Sequence, residues 1–142
     1  YSARFAGDDV TYEDNNRKLL QALDGVPQEE RGASFVCTLA LLVPEAWAVE
    51  PPSHASWRRQ PHRGCPAGAA LYVVEGRVDG VITDALTGSG GFGYDPLFFF
   101  PAAGCTFAEI SRDEKNRVSH RGQALRGLRE CLMDLASLGT RA

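Results

Sequence analysis

Between residues 88 and 96 the chain reads Gly-Ser-Gly-Gly-Phe-Gly-Tyr-Asp-Pro, and 24 residues beyond Asp95 it reads Ser119-His120-Arg121. Glycine adopts φ values that other residues avoid and lets backbone N–H groups come close to a bound group. Phe92 and Tyr94 add ring surface, Asp95 adds a carboxylate acceptor, and Lys115, His120 and Arg121 add cationic donors. Such a set suits a flat polar ring carrying phosphates. Each piece also has a plainer reading. The loop matches neither the dinucleotide fingerprint nor the Walker pattern in full. Phe92 and Tyr94 can be half-buried core aromatics, Asp95 before Pro96 can open a turn, and Lys115 can lie on a solvated helix surface. His120 and Arg121 fall in the first turn of an expected final helix, where free N–H groups and the helix dipole favour electron-rich atoms. Arginine is disfavoured at that end, so its placement suggests a task facing a ligand; the alternative is a surface Arg behind a capping Ser.

The elements that must position these residues are legible as periodic runs. Thr11 caps a helix predicted from about Tyr12 to Leu23, with Glu13 and Asp14 in its first turn and Gly25 and Pro27 ending it. Asn15-x-x-Lys18 has a phosphate-binding spacing but falls inside this helix and reads as helix surface. Ala33 to Val43 is a β-rich apolar run, expected as a strand covered on both faces. Residues 51–66 hold four prolines, Trp57 and the cations Arg58, Arg59 and Arg63. They read as an irregular proline-rich insertion, because prolines deny a ladder. Ala70–Val74 and Val78–Thr83 look like a hairpin-like pair around Gly76 and Asp79-Gly80. Leu97–Phe100 is a short buried strand, and Thr106–Asn116 a charged stretch with one helical turn. Ser119 opens a long helix to about Leu138, whose Leu125, Leu128, Leu132 and Leu135 are expected to form its buried stripe.

The chain has 142 residues, 44% of them apolar, which supports one compact domain with a real core. A net charge of −3 argues against a general nucleic-acid coat while leaving room for a local phosphate pocket. No apolar stretch approaches the roughly 20 residues of a membrane span. Cys37, Cys65, Cys105 and Cys131 are widely spaced without a Cys-x-x-Cys pair, which suggests structural thiols in a reduced, cytoplasmic protein. Three scattered histidines give no metal-ligand spacing, and no Ser-His-Asp ordering is evident.

Together the motifs resemble the inosine/xanthosine triphosphate pyrophosphatase family. The similarity runs through Tyr1-Ser2-Ala3-Arg4-Phe5-Ala6-Gly7, Asn15-x-x-Lys18-Leu19-Leu20, Arg31, Phe35-x-Cys37, Gly76-Arg77 and Gly80-Val81-Ile82. It continues through Gly90 to Pro96 with Phe98, Thr106-x-Ala108-Glu109, Lys115 and Ser119-His120-Arg121-Gly122-x-Ala124-Leu125. It spans nearly the whole chain except residues 51–66. The resemblance implies an α/β fold, two-lobed, with a mixed sheet, flanking helices and a nucleotide cleft, in a homodimer. It implies Mg²⁺-dependent hydrolysis of ITP, dITP or XTP to the monophosphate and pyrophosphate, without nucleic-acid or membrane partners. By the same analogy Phe92, Gly93, Tyr94 and Asp95 hold the base and sugar side, Lys115 adds a donor, and His120 with Arg121 reads the purine edge.

Two family segments are not found in these residues: the Ser/Thr-x-Asn-x-x-Lys phosphate loop and the Asp-Asp-Ser-Gly stretch that supplies metal binding and the general base. In the family both lie upstream of the position matched by Tyr1. The resemblance therefore implies an N-terminally truncated piece, the C-terminal portion of a longer enzyme, inactive by itself because a dianionic metal site activates water in such chemistry. The competing expectation is a catalytically inactive purine-nucleotide-binding module.

Overall fold

The structure is a computed structural model that describes residues 1–60 and 66–139. It is a mixed α/β fold with helices α1 (Tyr12–Ala22), α2 (Arg112–Val118) and α3 (His120–Gly139) and strands β1 (Gly32–Pro44), β2 (Trp57–Gln60), β3 (Ala69–Ile82), β4 (Phe98–Phe100) and β5 (Cys105–Thr106). The strand order is β1-β3-β4-β5, with β2 attached to β3. The β2–β3, β3–β4 and β4–β5 pairings are each antiparallel. The chain divides into two compact units, Tyr1–Ser34 with Asp79–Asn116, and Phe35–Val78 with Arg117–Ala142. Among the described residues no helix is long and apolar enough to cross a membrane.

In the first unit α1 starts as its sequence dictates. Thr11 Oγ1 accepts from the Asp14 amide at 3.1 Å, and Asp14 Oδ2 accepts from the Thr11 amide at 3.0 Å, closing a capping box. These Thr11 bonds, helped by Arg17, hold the Asp14 carboxyl below the usual carboxylate range. At the other end Gly25 takes φ +73°, and Arg31 donates to the carbonyls of Leu23 and Val26 in the turn that follows the helix. The unit's apolar centre is Leu97, Phe98 and Phe107, all essentially inaccessible, with the Phe98 and Phe107 rings 5.0 Å apart.

In the second unit Trp57 and Tyr72 meet edge-on at 5.2 Å inside a cluster with Val43, Val49, Ala70, Val74 and Cys131. The buried Tyr72 hydroxyl donates to the Val49 carbonyl and accepts from the Val49 amide, so its polar end is satisfied. Arg59 pairs with Glu50 at 2.7 Å and with Glu45.

Four expectations are corrected here. The insertion at 51–66 is not irregular throughout: no proline lies between Ser53 and Gln60, so Trp57–Gln60 forms a ladder with Leu71–Val74, and Trp57 joins the core. Residues 61–65, with Arg63 and Cys65, lie outside the described residues. The expected hairpin is one continuous strand, β3. Its glycines answer close approach rather than turning: a Cβ on Gly76 would overlap the His120 carbonyl and lie 2.7 Å from the Ala124 nitrogen. β1 is covered on one face only, since Ser34, Val36, Thr38, Ala40 and Leu42 form an exposed alternate row. Finally, α3 turns only half of its leucine stripe inward: Leu128 and Leu135 pack against the core. Ala124, Gly127 and Cys131 are buried, whereas Leu125 and Leu132 are 58% and 47% exposed. Small residues face inward because the helix passes close to the sheet: a Cβ on Gly127 would strike Val74 and Ser56.

Three outcomes are expected. Gly76→Ala should lower unfolding free energy by at least about 2 kcal/mol, because the crowding atoms are backbone and cannot swing aside; urea titration measures it. Thr11→Ala should lose about 1 kcal/mol of helix capping. Because the folded Asp14 pKa is lowered, its contribution is complete above the ordinary carboxylate pKa and is lost as pH falls below it. Thermal melting in acid should therefore show a weaker pH dependence in Asp14→Asn than in the parent.

Candidate functional site

The glycine loop of the first unit is built around one carboxylate. Gly88, Gly91 and Gly93 take φ of +85°, +75° and +62°, the left-handed region that favours glycine. Asp95, 3% exposed, turns its Oδ2 back into the loop, where it accepts from the Phe92 amide at 2.6 Å and pairs with Lys115 Nζ. Gly91 has a second reason to be glycine, since a Cβ there would overlap the same Asp95 oxygen. The Asp95 carbonyl accepts from the Ala108 amide, and the Gly90 amide donates to the Ala108 carbonyl at 3.0 Å. The carboxylate is thus engaged inside the loop, as a charge-assisted acceptor that stiffens it.

Lys115, on α2, lies 4.9 Å above the Phe92 ring and 5.5 Å from the Phe107 ring, so its ammonium is flanked by one carboxylate and two π faces. Phe92 is 52% exposed and also meets Tyr12 at 6.4 Å, which leaves ring surface available to a flat partner. Tyr94 donates its hydroxyl to the Ser2 carbonyl at 2.6 Å, and burial pushes its phenol pKa up. Phe92, Gly93, Tyr94, Asp95 and Lys115 are therefore brought together in one structure.

α1 carries two asparagines, Asn15, which reads as helix surface, and Asn16, and the second braces this loop. Asn15 and Asn16 are in fact 3% and 5% exposed. Asn15 Oδ1 accepts from the Ala6 amide at 2.7 Å and its Nδ2 donates to the Ala3 carbonyl, while Lys18 Nζ donates to the Phe5 carbonyl at 2.7 Å. The Asn15-x-x-Lys18 spacing thus serves the Tyr1–Gly7 segment, and Lys18 alone keeps the expected surface position. Asn16 Nδ2 donates to the Gly93 carbonyl at 3.0 Å, and its Oδ1 is buried with no partner among the described residues. The signal that could have found this pair is polarity at the positions that continue α1's inward face.

In the second unit His120 and Arg121 open α3. Ser119 Oγ accepts from the Gly122 amide at 3.1 Å, as capping requires. Gln123 Nε2 donates to the Val118 carbonyl, and its Oε1 accepts from the Arg77 amide at 3.3 Å, tying the helix start to β3. The His120 imidazole stacks on Phe35 with centroids 5.0 Å apart and planes 21° from parallel. His120 is half-buried and Arg121 exposed. Phe35 entered the sequence reading only as part of a motif, since nothing local relates it to a residue 85 positions on.

These residues can bind a ring and an anion. They do not fit the Mg²⁺ that the resemblance implies: among the described residues no group of three or more His, Cys, Asp or Glu could hold a metal. Cys37, Cys105 and Cys131 are free thiols, and burial raises the pKa of Cys105 and Cys131, which suits unreactive packing groups.

The model of the Ham1 family matches residues 1–131. The chain is 43% identical over 133 residues to a dITP/XTP pyrophosphatase of Caldanaerobacter subterraneus subsp. tengcongensis, covering 94% of this chain and 54% of that protein. It is also 43% identical over 132 residues to a dITP/XTP pyrophosphatase of Geobacter sulfurreducens, covering 93% and 55%. Among solved structures, a HAM1 protein from Coxiella burnetii superposes with a TM-score of 0.71 at 34% identity, covering 94% of this chain and 57% of that one. The chain thus spans about half the length of the curated relatives it matches. With matching sequence, matching fold and a family model over nearly its full length, the chain belongs to the Ham1 family.

Proposed function

We propose that the protein is a nucleoside triphosphate pyrophosphatase that clears non-standard purine nucleotides, and that this chain carries its base-recognising residues. The observation that supports the reading most is the Asp95-centred glycine loop, which presents Phe92 beside Lys115, in a chain whose relatives are named dITP/XTP pyrophosphatase. In this reading ITP, dITP or XTP is cleaved between the α and β phosphates to the monophosphate and pyrophosphate. Mg²⁺, a homodimer and a cytoplasmic location belong to the proposal for the whole protein. The metal and the general base are assigned to segments other than the described residues. The runner-up, a nucleotide-binding module without catalysis, is favoured only by the lack of a metal-holding cluster among the described residues.

The roles proposed are those the family resemblance implies. Phe92 and Tyr94 give ring surface to the base and sugar side. Gly93 keeps backbone close to the ligand, and Lys115 supplies a cationic donor. Asp95 serves as the acceptor that holds Phe92 and Lys115 in place. His120 and Arg121 read the purine edge. A 6-oxo group satisfies a cationic donor, whereas the 6-amino group of adenine leaves it unpaired. Sites built to hydrogen-bond a required group reject analogues lacking it by about 10⁴–10⁵-fold.

Two measurements test this. Pyrophosphate release from ITP, XTP, dITP, GTP and ATP by the full-length protein should favour the first three, and Arg121→Ala should erode the ITP-to-ATP preference by at least about tenfold. An unchanged ratio rules out edge reading by Arg121, and no release from any nucleotide favours the binding module. Lys115→Met should cost about 3 kcal/mol of stability by leaving the buried Asp95 carboxylate short of its counter-charge. Adding Asp95→Asn to that variant should return part of the loss, as chemical denaturation will report.

A further inference from the structure

His120 carries the base-reading role proposed above, yet α3 by itself does not set the plane of its imidazole. The Ser119 cap, the Gln123 bridge to Arg77 and the close seat on Gly76 locate the helix start. They fix the His120 backbone, while the terminal torsion of a histidine remains broad and roughly two-fold. One group that packs on its face is Phe35, half-buried on the inward row of β1, whose ring lies 5.0 Å from the imidazole and 21° from parallel to it. A ring laid face-on favours a near-parallel setting of its neighbour, because offset stacking of two π systems is an attractive geometry in its own right. Orientation matters to recognition, since an N–H···O bond weakens steeply as its angle falls toward about 120°.

We propose that Phe35 is a positioning residue for base selection, acting through His120: its ring is the platform that holds the imidazole in the plane needed to meet a 6-oxo purine. This inference rests on the base-reading role of His120. Leucine at position 35 would keep most of the apolar volume but offer no flat face, whereas tyrosine would keep the face.

The test compares Phe35→Leu, Phe35→Tyr, His120→Ala and the Phe35→Leu/His120→Ala double variant in the full-length protein, reading kcat/KM for ITP and ATP. Phe35→Leu should lower the ITP-to-ATP ratio by about tenfold, Phe35→Tyr should stay within about threefold of the parent, and the double variant should be no less selective than His120→Ala alone. Without any nucleotide, the His120 ring-proton resonances should carry the phenyl ring-current shift in the parent and Phe35→Tyr and lose it in Phe35→Leu. Equal losses for ITP and ATP in Phe35→Leu, or effects that add fully to those of His120→Ala, would overturn the proposal and leave Phe35 a packing residue. Selectivity lost in His120→Ala but kept in Phe35→Leu sinks the role of Phe35 alone. Selectivity unchanged in His120→Ala sinks the base-reading role of His120 and the inference with it.

Discussion

β3 works because two of its side chains are missing. At Gly76 the backbone of the strand meets the backbone at the start of α3, and at Gly80 it meets the Phe99 carbonyl and the Phe98 ring. The backbone atoms among these, at His120, Ala124 and Phe99, could not retreat from a Cβ by a rotamer change. Ser119, His120 and Arg121 therefore stand where they do because β3 lets a helix begin directly on its surface, and Phe98 enters the first unit's centre because Gly80 makes room. A strand of 14 residues would ordinarily be weakened by interior glycines. Here their loss of packing is offset by close contacts that no other residue permits.

The glycine loop applies the same economy around a charge. A buried carboxylate is costly unless its oxygens are occupied. Asp95 answers that cost at Oδ2, which takes both the Phe92 amide and the Lys115 ammonium, and the positive-φ glycines bend the chain far enough for the loop to enclose it. One oxygen of the carboxylate is thus engaged within the loop, and the aromatic ring is the part displayed. Asn16 and Tyr94 then tether the loop to α1 and to the Ser2 turn, so that its shape is over-determined from three sides.

Much of this was legible beforehand where the determinants are local. The Thr11 cap, the β-rich run of β1, the short strand of phenylalanines and the Ser119 cap depend on neighbours within a few residues, and the order of motifs carried the family. Three of the misreadings share one cause. Gly76 and Asp79-Gly80 resemble turn signals until residues 98–99 and 120–124 are seen pressing on them. All four α3 leucines look like core because size usually sorts inward, but a helix crossing at close range turns Ala124, Gly127 and Cys131 to the sheet and leaves Leu125 and Leu132 exposed. Asn15 looks like surface because polarity usually sorts outward, but it, like Asn16, satisfies backbone groups of distant segments. Each error is a contact made far along the chain overriding a tendency that holds only on average.

The placement of Lys115 has a practical side. The sequence contains only two lysines, 18 and 115. Lys18 reaches over the Phe5 ring in an exposed position, while the second amine is walled in by a carboxylate and two phenyl groups. Acylating reagents thus meet one open ε-amine and one shuttered one. The extent to which the shuttered amine becomes modified is a direct gauge of how tightly the loop is closed, readable by mass spectrometry without any substrate.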